Sequence, residues 1–148
     1  MAFDGEVDLS KLMKAAIRSG KTLFLPVIDT GCRKEMHFRS VSPALELRRN
    51  RFGVLEPLPF RSRRIPLSDL DLILMPVVGF DVRGTRLGMG GGYFDRALAE
   101  ISTRPAFAQR VIGVAFDCQR IEYLERKDWD VPVTTVVTET QTYRLPAQ

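Results

Sequence analysis

The run Arg86-Leu87-Gly88-Met89-Gly90-Gly91-Gly92-Tyr93-Phe94-Asp95 places four glycines in five residues, with a cation at one end and a carboxylate at the other. Glycine takes positive φ and lets the backbone approach a ligand, and free N–H groups at a helix start carry the positive end of the dipole. Such a loop can bind an anion. One charge placed there gains about 0.3–2 kcal/mol, so holding phosphate takes several N–H groups and a cation, which Arg86 supplies. The string is neither G-x-x-x-x-G-K-[ST] nor G-x-G-x-x-G with a downstream acid, so neither mechanism transfers. It therefore reads two ways, as a phosphate cradle or as a plain turn. Asp95 reads as a carboxylate favoured by the helix dipole, or as a magnesium ligand beside nucleotide phosphates. Tyr93 is either a ring packed under the helix or a stacking and hydrogen-bonding surface for a ligand.

The remaining candidates are weaker. His37 is the sole histidine, which excludes multi-histidine metal sites and gives little support to a Ser-His-Asp arrangement. It reads as a strand-surface residue. Cys32 and Cys118 have no C-x-x-C spacing, which argues against structural zinc and fits a reducing compartment. Cys118 is expected to be a small buried thiol, and Trp129 a packing anchor for the C-terminal segment. Arg48, Arg49, Arg51, Arg61, Arg63 and Arg64 cluster in one stretch. No aromatic interleaving or recognition helix accompanies them, so they read as a solvated loop rather than a nucleic-acid surface. The net charge of +4 suits a small anionic substrate.

Several elements must position the glycine loop. A helix is expected from Asp8 or Ser10 as cap, with Leu9, Leu12, Met13, Ala16 and Ile17 on one face and Gly20 as stop. Residues 21–28 read as a buried strand and residues 36–39 as a half-buried one. The Arg- and Pro-rich stretch from 43 to 66 reads as connector with short pieces of structure. Residues 70–76 are nearly all apolar, as a strand covered on both faces should be. The glycine loop follows, then a helix over 94–101, a buried strand over 111–116 and a last strand over 134–138. Strands alternating with helices imply an α/β protein, a three-layer αβα sandwich with a mostly parallel sheet. In such sheets ligands bind beyond the carboxyl ends of the strands, where this loop lies.

Length and composition agree with one globular domain over 1–148. The chain has 148 residues, 45% hydrophobic and 27% charged, which fits neither a disordered nor a fibrous protein. Its apolar runs fall short of the roughly 20 residues of a membrane span. The start MAFDGEVDLSK lacks the basic flank and apolar stretch of a secretory signal. The expected location is the cytoplasm, with no membrane and no nucleic-acid partner.

The segment DLILMPVVGFDVRGTRLGMGGGYFDRAL resembles the signature of the 5-formyltetrahydrofolate cyclo-ligase (5,10-methenyltetrahydrofolate synthetase) family. GEVDLSKLMKAAIRSGKTLFLPV, NRFGVLEP, VIGVAFDCQ and DWDVPVTTVVTE extend the resemblance over nearly the whole chain. It implies ATP-dependent conversion of 5-formyltetrahydrofolate to 5,10-methenyltetrahydrofolate, with release of ADP and phosphate, in a monomeric enzyme of one-carbon metabolism. By resemblance, Arg86, Leu87, Gly88, Met89, Gly90, Gly91, Gly92, Tyr93 and Phe94 hold ATP. Glu6 and residues 89–93 border the folate, Phe52 lines the pterin pocket, and Asp95 coordinates Mg2+. Arg86 and Tyr93 are the residues expected to act in catalysis. The formyl oxygen attacks the γ-phosphate, N10 closes on the activated carbon and phosphate leaves, a reaction that rests on positioning and charge rather than on a protein nucleophile. The sequence departs from the family pattern in two main ways and one lesser one. It starts almost at GEVD, where the resemblance implies an upstream helix and strand, so the domain is expected to be N-terminally short. Thr134 stands where many members carry a second metal-binding Asp, and Phe94 where Tyr is common. The alternative expectation is a catalytically impaired folate- or nucleotide-binding remnant.

Overall fold

Asp8 opens the first helix, α1 (Ser10–Arg18), by accepting from the backbone N–H of Ser10 at 3.0 Å and from its hydroxyl. The residue at the cap position itself, Leu9, makes no side-chain cap. Gly20, at φ 73°, ends the helix, and Lys21 N–H returns to the Ala16 carbonyl at 3.0 Å. The structure, a computed structural model, describes residues 5–29, 35–41, 47–50, 53, 55–58, 62–99 and 110–146. It divides into two compact units, residues 1–4 with 8–69 and residues 5–7 with 70–148.

In the first unit β1 (Leu23–Ile28) pairs antiparallel with β2 (Met36–Val41), which pairs antiparallel with β5 (Arg64–Ile65). The connector forms a small antiparallel pair, β3 (Leu47–Arg49) with β4 (Leu55–Pro57). Glu56 Oε1 accepts from Ile28 N–H at 2.9 Å and from Asn50 at 2.8 Å. Residues 21–28 are not the buried strand expected: β1 is half-buried along its length. It is an edge strand among the described residues, where Pro26 is tolerated because one side of the ladder lacks a partner.

The second unit holds a four-stranded sheet in the order β11-β10-β9-β6, with β6 (Ile73–Pro76), β9 (Val111–Val114), β10 (Thr135–Val137) and β11 (Thr142–Arg144). β6, β9 and β10 run parallel, whereas β11 returns antiparallel from β10. Gly113 lets β10 approach, since a Cβ there would meet Val136 Cγ2 at 3.0 Å. Ile73, Met75, Val77, Val111, Val114, Val133 and Val136 are buried with Leu98 of α2 (Tyr93–Ala99). Burying such side chains contributes about 1.5–3 kcal/mol each. A short hairpin, β7 (Gly79–Phe80) with β8 (Arg86–Leu87), lies between β6 and the glycine loop. Its Phe80 is fully buried, edge-on to the Tyr143 ring at 5.2 Å between centroids.

The α/β class is as expected, but the sheets are mostly antiparallel. Five of the seven strand pairings among the described residues are antiparallel, and parallel pairing is confined to β6, β9 and β10. Within the second unit, β7 with β8 and β10 with β11 are joined by five and four residues, which permit only an antiparallel return.

Candidate active site

The hairpin turn that presents the site is built on Asp81. This carboxylate is fully buried and accepts from the backbone N–H groups of Arg83, Thr85 and Leu124 at 2.9, 3.0 and 3.2 Å. Arg83 adds Nε at 3.1 Å and Nη2 at 2.8 Å. Burial, the largest single influence, pushes the Asp81 carboxyl up, but the bonds from Arg83, Leu124 and Thr85 together outweigh it and hold the group below its ordinary value. Arg83 also donates to the Leu124 carbonyl and lies 4.1 Å from the centre of the Tyr123 ring. Gly84, at φ 79°, completes the turn; a Cβ there would stand 2.3 Å from the Val133 carbonyl oxygen. Only glycine fits that approach.

Arg86 follows on β8, and its side chain is 6% exposed. Its Nη2 donates to Asp95 Oδ1 at 2.6 Å, while its buried Nε has no hydrogen-bond partner among the described residues. Val131 N–H reaches the same Oδ1 at 3.3 Å. The two residues expected to act separately, one on phosphate and one on metal, are thus paired with each other, and Asp95 remains 18% exposed. Both readings of Asp95 from sequence overlooked this partner, which sits nine positions away across the loop.

Gly88, Met89, Gly90 and Gly91 are exposed, with Met89 at 59%. Gly90 and Gly92 have φ of 78° and 61°, so the loop uses its glycines for conformation. A Cβ on Gly91 would meet the Tyr93 ring at 2.7 Å, so a side chain there would have to displace that ring. Arg96 Nη2 donates to the Gly91 carbonyl at 3.0 Å, and its guanidinium lies 4.9 Å from the Tyr93 ring centre. The loop is a braced ribbon whose outer face is open to solvent. Tyr93, Phe94 and Asp95 form the first turn of α2 and are half-buried. Leu87 is exposed on β8.

Glu6 is half-buried in the same unit as this loop. Thr134 is half-buried, and its carbonyl accepts from Leu145 N–H at 2.8 Å. Phe52, Arg51 and Arg61 lie outside the described residues. Cys118 is exposed, contrary to expectation, because it sits on a single 3-10 turn after β9 rather than in the strand. Trp129 is 67% exposed and lies 5.3 Å from Lys127 Nζ, so it covers itself with a neighbouring cation rather than anchoring a core. An open cleft of about 550 Å³ is lined by Asp117, Arg120, Ile121, Glu122, Gln141 and Tyr143, none of them in the glycine loop. No cluster of three or more His, Cys, Asp or Glu side chains suited to a metal occurs among the described residues. No helix among the described residues is long and apolar enough to cross a membrane.

Sequence reasoning missed Asp81, Arg83, Arg96 and the Val131 amide. The spacing Asp-x-Arg-Gly at 81–84 is a turn signal that could have found the first two.

Comparison with known proteins gives these residues a context. The chain is 38% identical over 146 residues to the 5-formyltetrahydrofolate cyclo-ligase of Escherichia coli K12, covering 97% of this chain and 77% of that one. It is 33% identical over 136 residues to the Haemophilus influenzae cyclo-ligase, covering 92% and 71%. The solution structure of Aquifex aeolicus 5,10-methenyltetrahydrofolate synthetase matches with a TM-score of 0.76 at 37% identity, over 100% of this chain and 70% of that one. A Mycoplasma pneumoniae synthetase structure, at 22% identity and a TM-score of 0.66, shares the fold. With residues 1–139 also matching its family model, the chain belongs to the 5-formyltetrahydrofolate cyclo-ligase family.

Proposed function

We propose that this chain couples ATP hydrolysis to the cyclisation of 5-formyltetrahydrofolate, giving 5,10-methenyltetrahydrofolate, ADP and phosphate. The observation that carries the reading is the braced glycine loop with the Arg86–Asp95 pair at its two ends, in a chain of this family. ATP is the co-substrate. The amides of residues 88–92 receive phosphate oxygens, and Arg96 keeps the loop from collapsing by holding the Gly91 carbonyl away from the ligand face. Arg86 supplies a fixed cation beside the transferring group, where charge develops on the equatorial oxygens. Its burial strengthens that interaction relative to a surface arginine. Tyr93, Met89 and residues 90–92 border the formyl end of the folate, and Glu6 binds the folate. The protein's work is to bring the formyl oxygen and γ-phosphate into line and to exclude water, since no side chain forms a covalent intermediate.

Asp95 would hold Mg2+ on the nucleotide, the ion neutralising phosphate charge. Thr134 offers no carboxylate for a second metal contact, so Asp95 would have to suffice. The domain is proposed to act as one unit over 1–148, in a three-layer αβα arrangement around β6, β9 and β10. It is proposed to be a cytoplasmic monomer with small-molecule partners and no membrane or nucleic-acid partner.

The test mixes the purified chain with 5-formyltetrahydrofolate, Mg2+ and ATP and follows the near-ultraviolet absorbance of the methenyl product. Growth that requires ATP supports the reading. A folded chain that binds folate in calorimetry without forming product would instead be the binding remnant.

A further inference from the structure

We propose that Asp81 is a positioning residue: through the turn it anchors, it aims both of the donors that hold the Asp95 carboxylate. The two donors reach Asp95 Oδ1 from separate parts of the chain, Arg86 Nη2 from β8 and Val131 N–H from the segment before β10. Both are fastened to the same turn. On one side, Asp81 takes the N–H of Thr85, the residue before Arg86, and the turn is closed by Asp81 N–H to the Thr85 carbonyl at 3.0 Å. On the other, Gly84 accepts from Val133 N–H at 3.0 Å, two residues beyond Val131. The absence of a Cβ on Gly84 is what allows this contact. Asp81 touches neither Asp95 nor the glycine loop in any hydrogen bond it makes. A carboxylate with five donors in a fully buried position fixes its turn far more tightly than a surface turn is fixed. Since ligand placement errors near 1 Å can cost about 100-fold in rate, a buried anchor five residues before Arg86 bears on the site without entering it.

The inference rests on the reading of Asp95 as the carboxylate that meets the nucleotide. Its test is native-state amide hydrogen exchange in Asp81→Asn, which keeps the side-chain volume but turns one acceptor oxygen into a donor. The expected result is exchange at Val131 and Val133 about tenfold faster than in the parent chain, with Ile73 and Ala115 unchanged. Those two controls are held by Arg110 and Val137 carbonyls within the sheet. Asp95→Asn should speed Val131 but leave Val133, which Gly84 holds. If Val131 exchange in Asp81→Asn is unchanged, or rises only in proportion to Ile73 and Ala115, the positioning role is refuted. Should Asp81→Asn fail to fold, Arg83→Gln keeps the three backbone bonds to Asp81 and should speed Val131 by about threefold.

A kinetic arm separates this inference from the functional reading. Asp81→Asn should raise the KM for ATP by about tenfold while folate affinity without nucleotide stays within about twofold, whereas a general loss of structure moves both. If Val131 tracks Asp81 but Asp95→Asn leaves ATP use unchanged, the positioning stands and the nucleotide reading of Asp95 falls.

Discussion

Removing one member of the Arg86–Asp95 pair should cost more stability than removing both. Arg86 is 6% exposed and Asp95 18%, so a lone guanidinium is left drier than a lone carboxylate. Breaking a fully buried pair costs about 3–5 kcal/mol, because the survivor is charged and uncompensated. For Arg86→Met the surviving Asp95 keeps the Val131 N–H and some solvent, which discounts the loss to about 2–3 kcal/mol. For Asp95→Leu the surviving Arg86 has neither, since its Nε is already without a partner, and about 3–4 kcal/mol is expected. The double variant places two apolar side chains face to face and should lose only about 1–2 kcal/mol, giving a coupling of roughly 3–6 kcal/mol. Urea unfolding followed by far-ultraviolet circular dichroism measures each corner of the cycle. Additivity within about 0.5 kcal/mol would refute the pairing as an energetic unit.

Gly84→Ala and Gly90→Ala share a positive φ but differ in room. Strain plus the 2.3 Å approach to Val133 should cost Gly84→Ala about 2–4 kcal/mol, whereas Gly90→Ala, with open space, should lose about 1 kcal/mol; equal thermal shifts would contradict this. Burial first, then Arg64, pushes the His37 imidazole below its ordinary value, outweighing nearby Glu35 and Asp29. Its folded pKa is therefore the lower one, so its contribution to stability is full above the unfolded value of 6.5 and is lost as pH falls through the folded pKa. His37→Gln should flatten the stability profile below pH 6.5, which a pH series of denaturation midpoints would show. Asp117, held below its usual range by Thr138, Thr140 and Tyr143 hydroxyls, contributes stability present above its unfolded pKa of 3.8 and lost as pH falls through the lower folded value. Asp117→Asn should remove that part of the acid transition and leave the neutral-pH profile unchanged.

How far the sequence could be read depended on whether the deciding interaction was local. α1 was legible because Asp8, the apolar spacing and Gly20 all act within one or two turns of chain. β6, β9 and β10 were legible as apolar runs, though each proved shorter than expected: β6 begins at Ile73 rather than at residue 70, and β9 ends at Val114. The β7–β8 hairpin was not legible, since two-residue strands carry no periodicity and the turn between them is set by a buried Asp that meets Leu124, 43 positions away. β11 was missed for a similar reason: Thr142, Tyr143 and Arg144 become a strand by pairing with β10 and by the Tyr143–Phe80 contact. The glycine loop was visible in composition. That Arg86 and Asp95 face each other was not, because the geometry of the turn at 81–85 decides it.

The most direct measurement is a quenched time course that counts ADP and methenyltetrahydrofolate together, for the parent chain and for Asp95→Ala shown to be folded. Coupled chemistry at the glycine loop predicts one ADP per methenyl product, and a loss of both by about 100-fold or more in Asp95→Ala. Methenyl product without ADP, or an Asp95→Ala rate within twofold of the parent, would contradict it.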